Sequence, residues 1–148
     1  LFPSVLAASQ SLENESAMHN VRVFIVYRDD ENSAWDLAET LRSIEAIKGI
    51  PLIVETLPIA LLPLYSSNPP FGIFIAQRNE TDVELIAHFG RQHNVITFSP
   101  FRGDVEKGIL AGIEISDRIL PYINRETLAA LPVGLKAFFL KVAEIYEP

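Results

Sequence analysis

Cysteine is missing from the chain altogether. That excludes disulfides, thiolate metal sites and cysteine nucleophiles. It leaves the compartment open, since a reducing cytosol and a periplasm both fit. Cationic charge is scarce and scattered. Twelve Lys and Arg stand against nineteen Asp and Glu, for a net charge of −7 and a pI near 4.9. Phosphate binding needs clustered Lys and Arg, so nucleic acid and anionic membrane surfaces are disfavoured as partners. No apolar run approaches the roughly 20 residues of a membrane span, so a membrane-spanning chain is not expected. No Gly-x-Gly-x-x-Gly or phosphate loop occurs, which argues against a nucleotide cofactor. No Gly-x-Ser-x-Gly elbow occurs, which removes the usual hydrolase nucleophile. His19, His88 and His93 have no ligand spacing; the last two are not in the i, i+4 metal pairing. With no paired nucleophile and base, the expectations are no enzyme, no cofactor and no metal.

What is present is apolar mass in alternating patterns. The chain has 148 residues, is 49% hydrophobic and has a mean hydropathy of +0.21, enough for one domain with a real core. Residues 1–10 run from apolar through small to polar. They resemble the end of a secretory signal peptide, with Val5 and Ala7 where a signal peptidase reads. The alternative is a poorly ordered terminus. Residues 1–20 are therefore read as a leader and 21–148 as a single domain.

Val21 to Tyr27 is nearly continuous in β-formers and predicts a strand covered on both faces. A polar loop, Arg28 to Asn32, leads to a helix capped at Ser33 with Asp36. That helix carries Ala34, Leu37, Ala38, Leu41, Ile44 and Ile47 on one face and ends at Gly49. Ile50 to Thr56 predicts the return strand. Four prolines between Leu57 and Pro70 exclude a long helix or central strand, and predict a surface connection with Ile59, Leu61, Leu62 and Leu64 partly buried. A second unit follows: a strand from Phe71 to Gln77, a capping box at Thr81 with Glu84, a helix ending near Gly90, and a strand from Val95 to Ser99. The two units echo each other, through duplication or through common physics. Alternating elements predict a mainly parallel sheet with helices on both faces.

From Ile109 the period becomes two. Ile109, Ala111, Ile113 and Ile115 alternate with Leu110, Gly112, Glu114 and Ser116; Asp117-Arg118 breaks the run, and Ile119 to Ile123 resumes it. This predicts an antiparallel β-hairpin. Asn124 sits as an N-cap for a short helix, and a final helix follows the break at Pro132 and Gly134. The fold class expected is an α/β three-layer sandwich with a C-terminal hairpin-helix unit.

Few residues carry a chemical reading. Asp29-Asp30-Glu31 follows the first strand, where open α/β sheets place ligands and ions. A phosphorylation receiver would also need an acceptor Asp after the third strand, where Gln77-Arg78-Asn79 stands, so a solvated acidic loop is expected. Arg102 and Asp104 read as a turn with a local ion pair, or as the lining of an anion or ligand site. Phe138, Phe139 and Tyr146 belong to a C-terminal apolar segment that reads as core or as a partner-facing patch.

Several segments resemble a known family. Val21 to Tyr27 with Asp29-Asp30, Gly49-Ile50-Pro51-Leu52 and Val95-Ile96-Thr97-Phe98-Ser99 match in order. So do Phe101, Gly108 to Gly112, Tyr122-Ile123-Asn124, Gly134-Leu135-Lys136 and Phe139 to Ala143. Over roughly residues 21–143 the chain is similar to the YfiR-like family of small periplasmic regulatory proteins. Two departures stand out. Residues 1–20 lack the family's opening aromatic helix and Trp-Pro, and Lys107-Gly108 replaces the usual Gly-Gly. The resemblance implies a non-enzymatic periplasmic module without cofactor. The family type represses a membrane-bound diguanylate cyclase by binding its periplasmic sensor domain. The expected partner is thus an inner-membrane signalling protein, with a homodimer as a further assembly. The surface expected to carry binding is Phe101, Arg102, Phe138, Phe139 and Tyr146. The alternative function is a small-ligand-binding module like half of a periplasmic solute-binding protein, using the loops after Tyr27, Gln77 and Ser99.

Overall fold

The computed structural model describes residues 1–13, 19–132 and 134–148. The expected polar leader over residues 11–20 therefore lies partly outside the described residues, as does Val133 in the break between the last two helices. Among the described residues, eight strands form one sheet: β1 Val21–Tyr27, β2 Ala46–Ile47, β3 Ile50–Pro58, β4 Gly72–Ile75, β5 Ile96–Phe98, β6 Ala111–Ile115, β7 Ile119–Asn124 and β8 Glu144–Tyr146. Their order is β2-β3-β1-β4-β5-β6-β7-β8. The run β3-β1-β4-β5-β6 is parallel; β2 on β3 and β7 on β6 are antiparallel; β8 returns parallel to β7. The mainly parallel α/β sheet expected from the alternating pattern is thus present.

Alternation along β1 divides the core. Val21, Val23 and Ile25 point into one apolar cluster, Phe24 and Val26 into the other, and all five are fully buried. Successive strand residues face opposite sides, so each cluster fills one face of the sheet. On the first face lie helix α1 Phe2–Ala7 and helix α2 Glu31–Arg42, which buries Ala34, Ala38 and Leu41 at i, i+4 and i+7. On the second lie helix α3 Val83–His93 and a 3-10 helix at Ile59–Tyr65, which supplies Ile59 and Leu62 to the core. Leu61 and Leu64 of that segment are exposed rather than partly buried.

Several local expectations are corrected. Asp30, not Ser33, caps α2: its carboxylate accepts from the Ser33 amide at 3.1 Å and the Ser33 hydroxyl at 2.6 Å. The helix stops at Arg42, so Ile44 and Ile47 are not on it. Lys48 and Gly49 both take positive φ, 51° and 80°, and close a two-residue hairpin from β2 to β3. Thr81 turns to Asn79 instead of capping α3, whose N-cap is Asp82. Gly90 does not end α3. Its bare Cα lets the helix press on β5, where a Cβ would lie 2.6 Å from Thr97 Cγ2, and Asn94 at φ 58° makes the stop. The final helix ends early as well, because residues 144–146 add β8 to the sheet.

The N-terminus also packs into this core. The segment read as a leader supplies Phe2, Val5, Leu6 and Leu12 to the first core cluster. Phe2 sits 5.4 Å, centroid to centroid, from both Phe74 and Phe98, which themselves stack at 5.2 Å. The strand-like pairing of Ser9 with Leu135 pins this segment to the approach of helix α5 Ala137–Val142. There the Gln10 amide donates to Gly134 O at 3.0 Å and the Lys136 amide to Ala8 O at 2.9 Å.

The β6–β7 hairpin forms in the expected place, with Ile115 opposite Ile119 at its tip. Only Phe98 and Ala111 are paired between β5 and β6. The hairpin therefore projects past the carboxyl end of β5 by most of its length. Asn124 caps helix α4 Arg125–Ala129 as expected, accepting from the Thr127 amide at 3.0 Å.

Candidate ligand cavity at the carboxyl edge of the sheet

Chain order places the functional end. From β1 the chain moves to β3 on one side and then back to β4 on the other, so strand order reverses between β1 and β4. Ligands of open α/β sheets settle beyond the carboxyl ends of the strands at such a reversal. Here that crevice is filled from within. Gln77 Oε1 accepts from the amides of Arg28, Asp29 and Asp30 at 2.9, 3.0 and 2.9 Å, and Gln77 Nε2 donates to Asp29 Oδ1 at 2.6 Å. A side-chain carbonyl thus occupies the nest that three successive N–H groups make. Gln77, seen in the sequence only as a missing acceptor Asp, is the residue that closes this loop.

Open space lies two strands away. Where β6 and β7 outrun β5, the 99–107 loop and the hairpin enclose a cavity of about 280 Å³. Its lining includes Phe101, Arg102, Val105, Glu106, Glu114 and Tyr122. Gly112 is what lets the loop sit so close to the hairpin: a Cβ there would meet Ser99 O at 2.9 Å and Val105 Cγ2 at 2.7 Å.

The loop is fixed by buried polar groups. Ser99 Oγ donates to Asp104 Oδ2 at 2.6 Å and accepts from the Phe101 amide at 3.1 Å. Asp104 is buried and makes no ion pair with Arg102 among the described residues, which corrects the expected local pair. Burial holds its carboxyl above the usual range, partly offset by the Ser99 bond and by Lys107 and Arg78. Asn124, 3% exposed, ties the loop to the hairpin: its Nδ2 donates to Val105 O at 2.8 Å. Thr127 Oγ1 adds a bond to Gly108 O at 2.8 Å. On the cavity wall, burial, a hydrogen bond to Glu106 and the charges of Glu106 and Glu114 push the Tyr122 hydroxyl up to about 12.

The residues expected to carry binding separate. Phe101 and Arg102 line the cavity. Tyr146 stands behind it, its ring 6.3 Å from that of Tyr122. Phe138 is 78% exposed on α5 and does not line the cavity. Phe139 is 7% exposed and packs into the core, so it is not on the expected surface. Glu106, Glu114 and Tyr122 were missed. For Glu114 and Tyr122 the signal was the hairpin's period of two; Glu106 lies in the 105–107 turn and had none. Gly112 pairs with Tyr122 and Glu114 with Leu120, which puts Glu114 and Tyr122 on one face. Among the described residues, no group of three or more His, Asp or Glu is placed to hold a metal ion. No described helix is long and apolar enough to cross a membrane.

No family model matches the chain, and no curated protein matches it. Solved structures do, at the level of fold. The chain is similar to an ABC domain in complex with L-Trp from Streptococcus pneumonia, with a TM-score of 0.70 and 11% identity, over 97% of this chain and 59% of that one. It is similar to a conserved domain protein from Vibrio cholerae O1 biovar eltor, with a TM-score of 0.62 and 16% identity, over 95% and 60%. It is also similar to the ligand-free, open structure of a substrate binding protein with adhesive properties from Clostridium difficile. There the TM-score is 0.64 at 13% identity, over 93% and 58%. The chain spans about three-fifths of the length of each of these proteins. These likenesses show a shared α/β fold.

Proposed function

We propose that the chain is a non-catalytic, small-ligand-binding module of an exported, periplasmic system, and that the ligand sits in the cavity between the 99–107 loop and the β6–β7 hairpin. The observation that carries this is the cavity itself. It opens at the carboxyl edge of a parallel sheet, where such folds bind ligands, while the strand-reversal crevice is closed by Gln77. The fold likeness to a substrate binding protein and to a domain holding L-Trp supports the same reading. A thermal-shift screen tests it. A ligand at a hundred times its Kd stabilises the folded state by about 2.7 kcal/mol, or several degrees in Tm. Hits should lose that shift in Tyr122→Ala and keep it in Gln77→Ala. Hits with the opposite pattern, or no hits at all, would dismiss the cavity as the ligand seat.

A second reading is favoured by a separate observation. Ile115 and Ile119 face each other at the hairpin tip, 68% and 67% exposed, and Phe138 and Val142 are 78% and 53% exposed one turn apart on α5. Large apolar side chains paired in solvent suit docking on another protein. Together with the YfiR-like resemblance, they support a regulatory module that binds an inner-membrane signalling protein and shifts it between states for which it has different affinities. The hairpin tip adjoins the cavity, since Ile115 also lines it, so a bound ligand would bear on the docking surface. Recovery of the membrane partner from envelope extracts should fall with Ile115→Asp and Ile119→Asp, and undiminished recovery by folded variants would remove this surface.

A further inference from the structure

We infer that the cavity takes a small organic cation, a primary amine on an apolar body, with its ammonium held by Glu106 and Glu114 beside the Tyr122 hydroxyl. This rests on the ligand-binding reading and names the ligand class for the same site. Three charged side chains line the cavity: Arg102, Glu106 and Glu114. None has an ion-pair partner among the described residues. Two carboxylates against one guanidinium leave an excess of one negative charge in a concave space. Protein walls of low dielectric focus that field onto whatever enters. Arg102 and Glu106 are both exposed, so water and salt screen that pair alike, whereas Glu114 is half-buried in the strand and carries the less screened charge.

The two carboxylates converge on one phenol. Both raise the energy of a Tyr122 anion, so the hydroxyl keeps its proton and donates it to Glu106. Its oxygen lone pairs remain able to accept. An ammonium brings three donors and no acceptor, which suits two carboxylates and a phenolic oxygen. A carboxylate ligand would instead meet two uncompensated negative charges. A neutral ligand would strip water from them and return nothing. Phe101, Val105 and the ring of Tyr122 supply contact for the apolar body, and aromatic faces attract a cation rather than an anion.

The test is titration calorimetry of the full chain with three probes of one shape: phenethylamine, its neutral N-acetyl amide, and 3-phenylpropionate. The amine should bind about tenfold or more tighter than either of the others. Glu106→Gln and Glu114→Gln remove charge without volume. Each should weaken amine binding by roughly fivefold or more without weakening the neutral amide. Melting temperature and near-ultraviolet circular dichroism establish that both variants are folded. Equal or tighter binding of the amide or the carboxylate, lost in Tyr122→Ala, overturns the cation assignment and leaves the cavity as a ligand seat. Amine binding at full strength in both glutamine variants overturns it too. So does silence from all three probes, in which case the broader thermal-shift screen decides the ligand-binding reading on its own.

Discussion

Asn124 is the joint on which the cavity wall depends, and two substitutions there separate its two bonds. Its Oδ1 caps α4 through the Thr127 amide, and its Nδ2 donates to Val105 O, which also accepts from the Gly108 amide at 3.0 Å. Asn124→Ala removes both. The lost cap costs about 1 kcal/mol, and the lost bond to Val105 costs about another 1 kcal/mol, because that carbonyl keeps its second partner. A total of about 2 kcal/mol lowers Tm by roughly 4–8 °C for a domain of this size. Asn124→Asp is the sharper variant. Asp caps a helix as well as Asn does, so a cap-only role predicts no loss. It also sets a carboxylate oxygen where the amide nitrogen now lies 2.8 Å from a carbonyl, in a buried site. Like partial charges and an ill-solvated anion then cost about 2 kcal/mol or more. Urea unfolding at neutral pH reads both values, with the slope unchanged if only stability moves. An Asp variant as stable as the wild type would refute the claim that the Val105 bond holds the loop.

Phe2→Ala should cost about 3–5 kcal/mol in the same urea assay, because a buried ring touching two others leaves a cavity; a loss under 1 kcal/mol would mean that the N-terminal helix is not core. Gly112→Ala should cost about 1–3 kcal/mol and shrink the cavity, since Ser99 O is backbone and cannot swing aside; a neutral result would show that the loop floats. Asp104, raised by burial, binds its proton more tightly folded than unfolded. Its contribution to stability is therefore full below the unfolded value of 3.8 and is lost as pH rises through the folded value. Asp104→Asn, which can still accept from Ser99, should flatten the decline in stability over that window; unfolding curves measured from pH 3 to 7 check this, and an unaltered slope would show that another group causes it.

Much of the sheet was legible because it obeys simple periods. Val21 to Tyr27 reads as a strand covered on both faces, and the alternation from Ile109 reads as a hairpin with one apolar face, although Asp117-Arg118 is a poor tight turn. Asn124 announced its helix by residue type. The misread pieces are those where a tertiary partner outvotes a local signal. Gly90 looks like a helix stop, but Thr97 needs the room. Ile44 and Ile47 continue a helical spacing, but Lys48-Gly49 folds the chain into a hairpin. That Phe2, Val5 and Leu6 enter the core is not visible locally, because the aromatic partners of Phe2, Phe74 and Phe98, are distant in sequence. The cavity was half legible. Phe101 and Arg102 stood out in their loop. Glu106, Glu114 and Tyr122 join them only through the register of β6 on β7 and the close approach at Gly112, and neither is written in any local motif.

Ligand seating is measured most directly by amide chemical shifts of the labelled chain during titration with phenethylamine. Saturable shifts should gather on residues 99–106, 113–115 and 122, with residues 28–30 and 77 unmoved. Shifts centred on 28–30 and 77 would place the ligand at the strand reversal and contradict the cavity as its seat.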